Sequence, residues 1–104
     1  MGTDQLYNAI GLCQKAGKAK SGAFAAENAI KAGKAAMVLL EETASEATKT
    51  HYEHLCAAHG VPLFLVETVG SAIGKDAHIV MAVTDQGFSD MIARAMNNTD
   101  EKRG

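Results

Sequence analysis

The sequence predicts a three-layer α/β/α sandwich: one domain in which helices cover both faces of a central sheet. Three observations predict it. Helical and strand patterns alternate along the chain, the arrangement that buries a sheet between helices. The strand candidates are short apolar runs without polar alternation, as expected of strands covered on both faces. Each main helix carries a single apolar stripe. A chain of 104 residues suffices for one core. Its hydrophobic content of 47% leans on Ala and includes no Trp, which suits small side chains packed between layers.

The elements follow in order. Thr3 can cap a first helix whose stripe is Leu6, Ala9, Ile10, Cys13 and Ala16, with Gly17 as its stop. Ser21 and Gly22 precede a second helix with the core stripe Ala23, Ala26, Ala29 and Ile30, and Gly33 ends it. Residues 36–40 form an apolar run, read as a buried strand. Ser45 opens a third helix that extends to about Ala58, with Gly60 beyond it. Residues 61–66 are the next strand, and Pro62 stands near its beginning, where a missing donor is tolerated. Residues 68–74 suggest a single helical turn between glycines. Residues 79–83 are a third clear strand. Phe88, Met91, Ile92 and Ala95 mark a last helix, so the domain is expected to cover 1–96, with 97–104 a polar, frayed tail. No repeat, linker or low-complexity stretch interrupts this series. Periodicity does not reveal the strand order.

Charge is unevenly placed. Lys15, Lys18, Lys20, Lys31 and Lys34 fall in one segment opposed only by Glu27, giving it +4. The rest of the chain holds five basic and eleven acidic residues, so the total of −2 hides a basic spot. A positive field at a helix entrance is suited to phosphate. Two distant cysteines make no disulfide framework and point to a reducing cytosol. No apolar run approaches the ~20 residues that span a bilayer. The first residues show no secretory pattern. A cytoplasmic protein is expected.

Catalytic and cofactor motifs are absent. There is no Gly-x-Gly-x-x-Gly after a strand and no phosphate-loop lysine. His51, His54, Cys56 and His59 scatter around a helical wheel, so no metal site is expected. His59 falls with Leu55 and Tyr52 and reads as a packing residue. Cys13 lies on an apolar stripe, where a thiol is a small inert hydrophobe. Glu41 and Glu42 end the first clear strand and are surface candidates, because strand ends line sites in α/β sheets. Gly70 and Gly74 bracket a short turn with Lys75 beside it. Neither a cofactor nor an enzymatic activity is expected.

The second helix says more. Phe24, Asn28 and Lys31 share one side of its wheel, nearly opposite the core stripe, with Glu27 flanking them. Phe24 either tucks under a loop or offers a platform for an unstacked base, with lysines nearby for phosphates.

A series of short stretches carries a family resemblance. They are Ile10-Gly11-Leu12 with Lys15-Ala16-Gly17-Lys18, Ser21-Gly22, and Ala29-Ile30-Lys31-Ala32-Gly33-Lys34-Ala35. Val38-Leu39-Leu40, Ala44-Ser45-Glu46, Val61-Pro62, Ala72-Ile73-Gly74-Lys75 and Val83-Thr84-Asp85-Gln86-Gly87-Phe88 follow in order. In these the chain resembles the ribosomal L7Ae family of structured-RNA binders, and within it the short bacterial YlxQ-type branch. The resemblance implies a four-stranded mixed sheet, with Lys20-Ser21 in the extra strand, and binding of kinked RNA helices.

It also implies where RNA sits. The family reads RNA with Gly-x-Asn-Glu-x-x-Lys at the start of the second helix. Here Gly22 matches, while Phe24, Ala25 and Asn28 stand at the amide, carboxylate and lysine positions. A second contact is the loop at Gly74, where Lys75 replaces an apolar residue. The expected RNA-facing set is Lys18, Lys20, Ser21, Gly22, Phe24, Asn28, Lys31, Glu42, Ile73, Gly74 and Lys75. Within it Lys18, Lys20, Lys31 and Lys75 meet phosphates, Gly22 opens the helix entrance, and Asn28 bonds a base or sugar. The expected partner is structured RNA, ribosomal in type, bound by a monomer that touches no membrane. The rival reading is a protein-interaction module on the same fold, with Phe24 docking a protein partner.

Overall fold

The computed structural model describes residues 2–67, 69 and 79–103, with side chains for 5–67, 69 and 79–97. Its elements are α1 (Gly2–Lys15), β1 (Ala19–Ser21), α2 (Ala23–Lys31), β2 (Met37–Glu41), α3 (Glu46–Ala58), β3 (Leu63–Val66), β4 (Val80–Val83) and α4 (Gln86–Arg103). The sheet is mixed, in the order β1-β4-β2-β3. β4 runs antiparallel to both neighbours, and β3 runs parallel to β2.

Side-chain alternation divides the core in two. Met37 and Leu39 of β2, with Met81 and Val83 of β4, face Ile10 and Cys13 of α1 and Ile92 of α4. Val38 and Leu40, with Val80 and Ala82, face Ala26, Ala29 and Ile30 of α2 and Tyr52 and Cys56 of α3. Both central strands are thus buried on both faces, which is why they read as unbroken apolar runs. Alanines let α2 settle closely on the sheet. Both cysteines are buried, and burial pushes the Cys13 thiol up to about 11, the inert state expected of a core residue.

Several boundaries differ from expectation. β3 is an apolar run but an edge strand, with Phe64 and Leu65 at 36% and 48% exposure. Among the described residues no strand pairs beyond it, so its apolar character does not signal burial on both faces. α1 begins at Gly2, ahead of the Thr3 expected to cap it. α4 begins at Gln86, because the Asp85 carboxylate accepts the Phe88 N–H at 3.0 Å. It continues to Arg103, so the residues expected as a frayed tail extend the helix. His59 is exposed and caps the end of α3 instead of packing on it. The helix stops at Ala58, and the stripe stops with it. The turn expected at 68–74 lies outside the described residues, apart from Val69. So do the site candidates Ile73, Gly74 and Lys75.

Candidate nucleic-acid interface

The site begins where β1 turns into α2. Lys20 pairs with Ala82, so alternation sends it toward the α2–α3 face of the sheet. Ser21 pairs with Met81 on the opposite face and is already engaged in an interaction. The Gly22 N–H donates to Val80 O at 2.9 Å, which extends the pairing by one bond. Gly22 then takes φ 89° and ψ 156°, a conformation essentially restricted to glycine. That single residue turns the strand directly into the helix.

The entrance so formed is electrostatically open. No side chain caps α2, and its first turn holds no acidic residue. The first intrahelical bond runs from the Ala26 N–H to Gly22 O. The amides of Ala23, Phe24 and Ala25 precede it and lack intrahelical acceptors. Aligned peptide dipoles add a partial positive charge at the same place.

A shallow groove continues from this entrance. Lys20, Phe24, Ala25, Asn28, Ala29, Ala32, Lys34 and Thr84 line it. Phe24 is 81% exposed, so it is not tucked under a neighbouring loop. Small alanines between Phe24, Asn28 and Lys34 leave room for a flat ring. The groove therefore combines an aromatic face, an amide and two lysines beside an uncapped helix start. Lys18 joins it through the backbone, where the Thr84 N–H donates to Lys18 O at 2.9 Å.

Other expected residues stand elsewhere. Lys31 lies 4.0 Å from Glu27, a solvent-exposed pair of small energetic value. Glu27 does more than flank the site. Its Oε2 accepts the Tyr52 hydroxyl at 3.3 Å and lies 3.1 Å from His51 Nε2, which ties α2 to α3. Burial and that carboxylate push the Tyr52 phenol up to about 12. Glu42 follows β2, and its N–H donates to Val66 O. It belongs to an acidic end of the molecule around Tyr7. Burial first, then the hydrogen bond and charge of Glu67, then the charges of Glu42 and Glu41 push that phenol up to about 12. Among the described residues no group of three or more His, Cys, Asp or Glu is placed to hold a metal ion. No described helix is long and apolar enough to cross a membrane.

The structure adds Lys34 and Thr84 to the expected set. Lys34 was visible in the basic segment, but its nearness to Lys20 depends on the turn after α2. Thr84 has no local signal at all. It reaches the groove because β4 lies beside β1.

Comparison with known proteins agrees with this picture. Residues 4–93 match the ribosomal protein L7Ae/L30e/S12e/Gadd45 family. The chain is 38% identical over 86 residues to the RNA-binding protein YlxQ of Bacillus subtilis, a match covering 80% of this chain and 86% of that one. A solved protein of unknown function from Bacillus halodurans superposes with a TM-score of 0.83 at 27% identity, over 89% of this chain and 97% of that one. A 15.5 kD RNA-binding protein of Giardia lamblia shares the fold, with a TM-score of 0.73 at 20% identity over 96% and 88% of the two chains. The match over residues 4–93 and the 38% identity over most of both chains show the family: the chain belongs to the ribosomal protein L7Ae/L30e/S12e/Gadd45 family.

Proposed function

We propose that this protein binds structured RNA with a kinked helix, as a component of a ribonucleoprotein of ribosomal type. The α2 entrance and the Lys20–Phe24–Asn28–Lys34 groove form the main contact, and the segment around Gly74 forms the second. One observation carries the reading. The helix start is uncapped and free of acid, and it opens onto a groove with two lysines and an exposed aromatic. Amides and lysines suit phosphates, and Phe24 suits an unstacked base. The similarity to an RNA-binding protein of Bacillus subtilis supports it. The protein is a binder and not an enzyme, as its family membership indicates.

Phe24, Ala25 and Asn28 narrow what the site can read. Neither Phe24 nor Ala25 can hydrogen-bond a base edge through its side chain, so recognition rests on backbone shape and stacking more than on base identity. Titration with a kink-turn hairpin and with a plain duplex of equal length tests this. The hairpin should bind more tightly. Equal binding would leave a general RNA binder, and no binding to either would sink the reading. A protein partner lost on Phe24→Ala, with RNA binding absent in the wild type, would establish the interaction-module alternative that the exposure of Phe24 also allows.

A further inference from the structure

We infer that β3 is the contact through which two copies of this chain pair, antiparallel and edge to edge about Phe64, in a weak dimer. The inference stands apart from the RNA reading. β1 and β3 are the two edges of the sheet. Along β3 every second residue turns its backbone to β2. Pro62 O accepts the Val38 N–H at 2.9 Å, and Val66 O accepts the Glu42 N–H at 2.8 Å. Alternation therefore turns the N–H and C=O groups of Leu63 and Leu65 outward. Among the described residues no strand receives them. Pro62 does not guard this edge, because the N–H it lacks lies on the β2 side.

The two edges are protected differently. Natural sheets blunt an edge with charge, Pro, a bulge or a very short strand. β1 is three residues long, with Lys20 at its centre. Pairing of β1 with its own copy about Lys20 would set two lysines face to face, and like charges directly opposite are destabilising. β3 is four residues long, all apolar, without charge, Pro or Gly. Phe64 and Leu65 are exposed on its two opposite faces.

The residues of β3 fit their own copy. Paired about Phe64, Leu63 stands opposite the copy's Leu65, and the two exchange both N–H···O bonds. The outward groups of both leucines are then satisfied. Phe64 falls at the position between them, where side chains approach most closely, and meets the copy's Phe64. Aromatic meets aromatic on the α1–α4 face, leucine meets leucine on the α2–α3 face, and no charge is enclosed. A register centred on Leu65 would instead set Leu63 against the copy's Glu67. A four-residue edge is far smaller than a stable dimer's interface, so the pairing has a Kd on the order of 1 mM. The single chain expected from the sequence is then the dilute form. The α2 groove lies beside β1, at the opposite edge, and stays open in the pair.

The test compares the full chain at about 0.05 mM and about 2 mM, by sedimentation and by amide exchange. The average mass should rise about 1.5-fold between the two. Exchange at Leu63 and Leu65 should slow about twofold, while Phe64 and Val66, whose N–H groups already face β2, stay unchanged. Phe64→Lys and Phe64→Glu should each remain single chains. An equimolar mixture of the two should regain the rise in mass, because position 64 faces itself across the pair. Leu65→Glu, at a more exposed position, should remain a single chain and melt like wild type. Wild type that stays a single chain at the higher concentration leaves the edge to a foreign strand and overturns self-pairing. Association with unchanged exchange at Leu63 and Leu65 puts the contact on another face and overturns it too. A mixture of folded Phe64 variants that fails to associate overturns the register. If the Phe64 variants unfold, Leu65→Glu decides: association that survives it overturns the proposal, and its loss with a wild-type melt supports it.

Discussion

Helices α2 and α3 lie on the same face of the sheet and begin in opposite ways. α3 is closed by its own sequence. Ser45 Oγ accepts the Thr48 N–H at 3.1 Å, and Glu46 places a carboxylate in the first turn. α2 starts at a glycine with no side-chain cap and no acid. Their aromatics differ in the same sense. Tyr52 of α3 is 2% exposed, while Phe24 of α2 is 81% exposed. A helix that serves only the fold satisfies its end and buries its ring. On the proposed reading, the helix that leaves both available is the one that meets the partner. The neighbouring Lys20 and Lys34 suit an anionic one.

The largest expected effect separates the two rings. Tyr52→Ala should cost ~3–5 kcal/mol of stability, as removal of a buried aromatic does. Phe24→Ala should cost well under ~1 kcal/mol, the range of surface changes. It should nevertheless weaken RNA binding by ~1–3 kcal/mol if the ring stacks on a base. Thermal melts and an RNA titration of both variants check this. A strongly destabilised Phe24→Ala would erase the contrast.

Next come the two helix starts. Gly22→Ala forces a side chain into a conformation essentially reserved for glycine and should cost ~1–3 kcal/mol. RNA affinity should fall as well, since the α2 entrance is displaced. Ser45→Ala should cost ~0.5–2 kcal/mol, the range for a lost cap, with RNA affinity unchanged. If Ser45→Ala weakens RNA binding as much as Gly22→Ala, the entrances are not distinct.

The smallest effect is the sharpest in sign. Ala23→Glu gives α2 the first-turn acid that α3 already has. It should stabilise the fold by ~0.3–1 kcal/mol through the helix dipole. It should also weaken RNA binding, because the carboxylate takes the place of a phosphate. Parallel denaturation and titration check it. Changes of the same sign in both would mean that the open end has no part in binding.

The outline of the fold was legible because its determinants are local. Gly17, Gly22, Gly33 and Gly60 all adopt positive φ, which is why glycines mark the turns. Ala26, Ala29 and Ile30 recur with the helical period that buries them. What escaped depends on distant chain. Residues 63–66 read like those of β2, yet β3 lies at the edge, and only cross-strand pairing decides that. A wheel through His59 assumes a helix that has already ended. Residues 97–103 lack an apolar stripe, so a purely polar helical extension reads as tail. The site divides in the same way. Phe24 and Asn28 share a helix face and were found on a wheel. Lys34 and Thr84 come together only when α2 packs beside β1 and β4. Ser21 shows the converse, since alternation in β1 sends it away from Lys20.

The central claim is that RNA meets the lysines of the α2 groove and not positive charge in general. Its most direct measurement is the salt dependence of RNA affinity for two double variants. Lys20→Gln with Lys34→Gln removes the groove lysines. Lys49→Gln with Arg94→Gln removes a cation paired with Glu46 and another that lines a groove between α1 and α4. Each lost phosphate contact should flatten the slope of log affinity against log salt by about 0.7–0.9, so the first variant should lose roughly 1.4–1.8. The second should keep the wild-type slope. Equal slopes for the two variants would contradict the account.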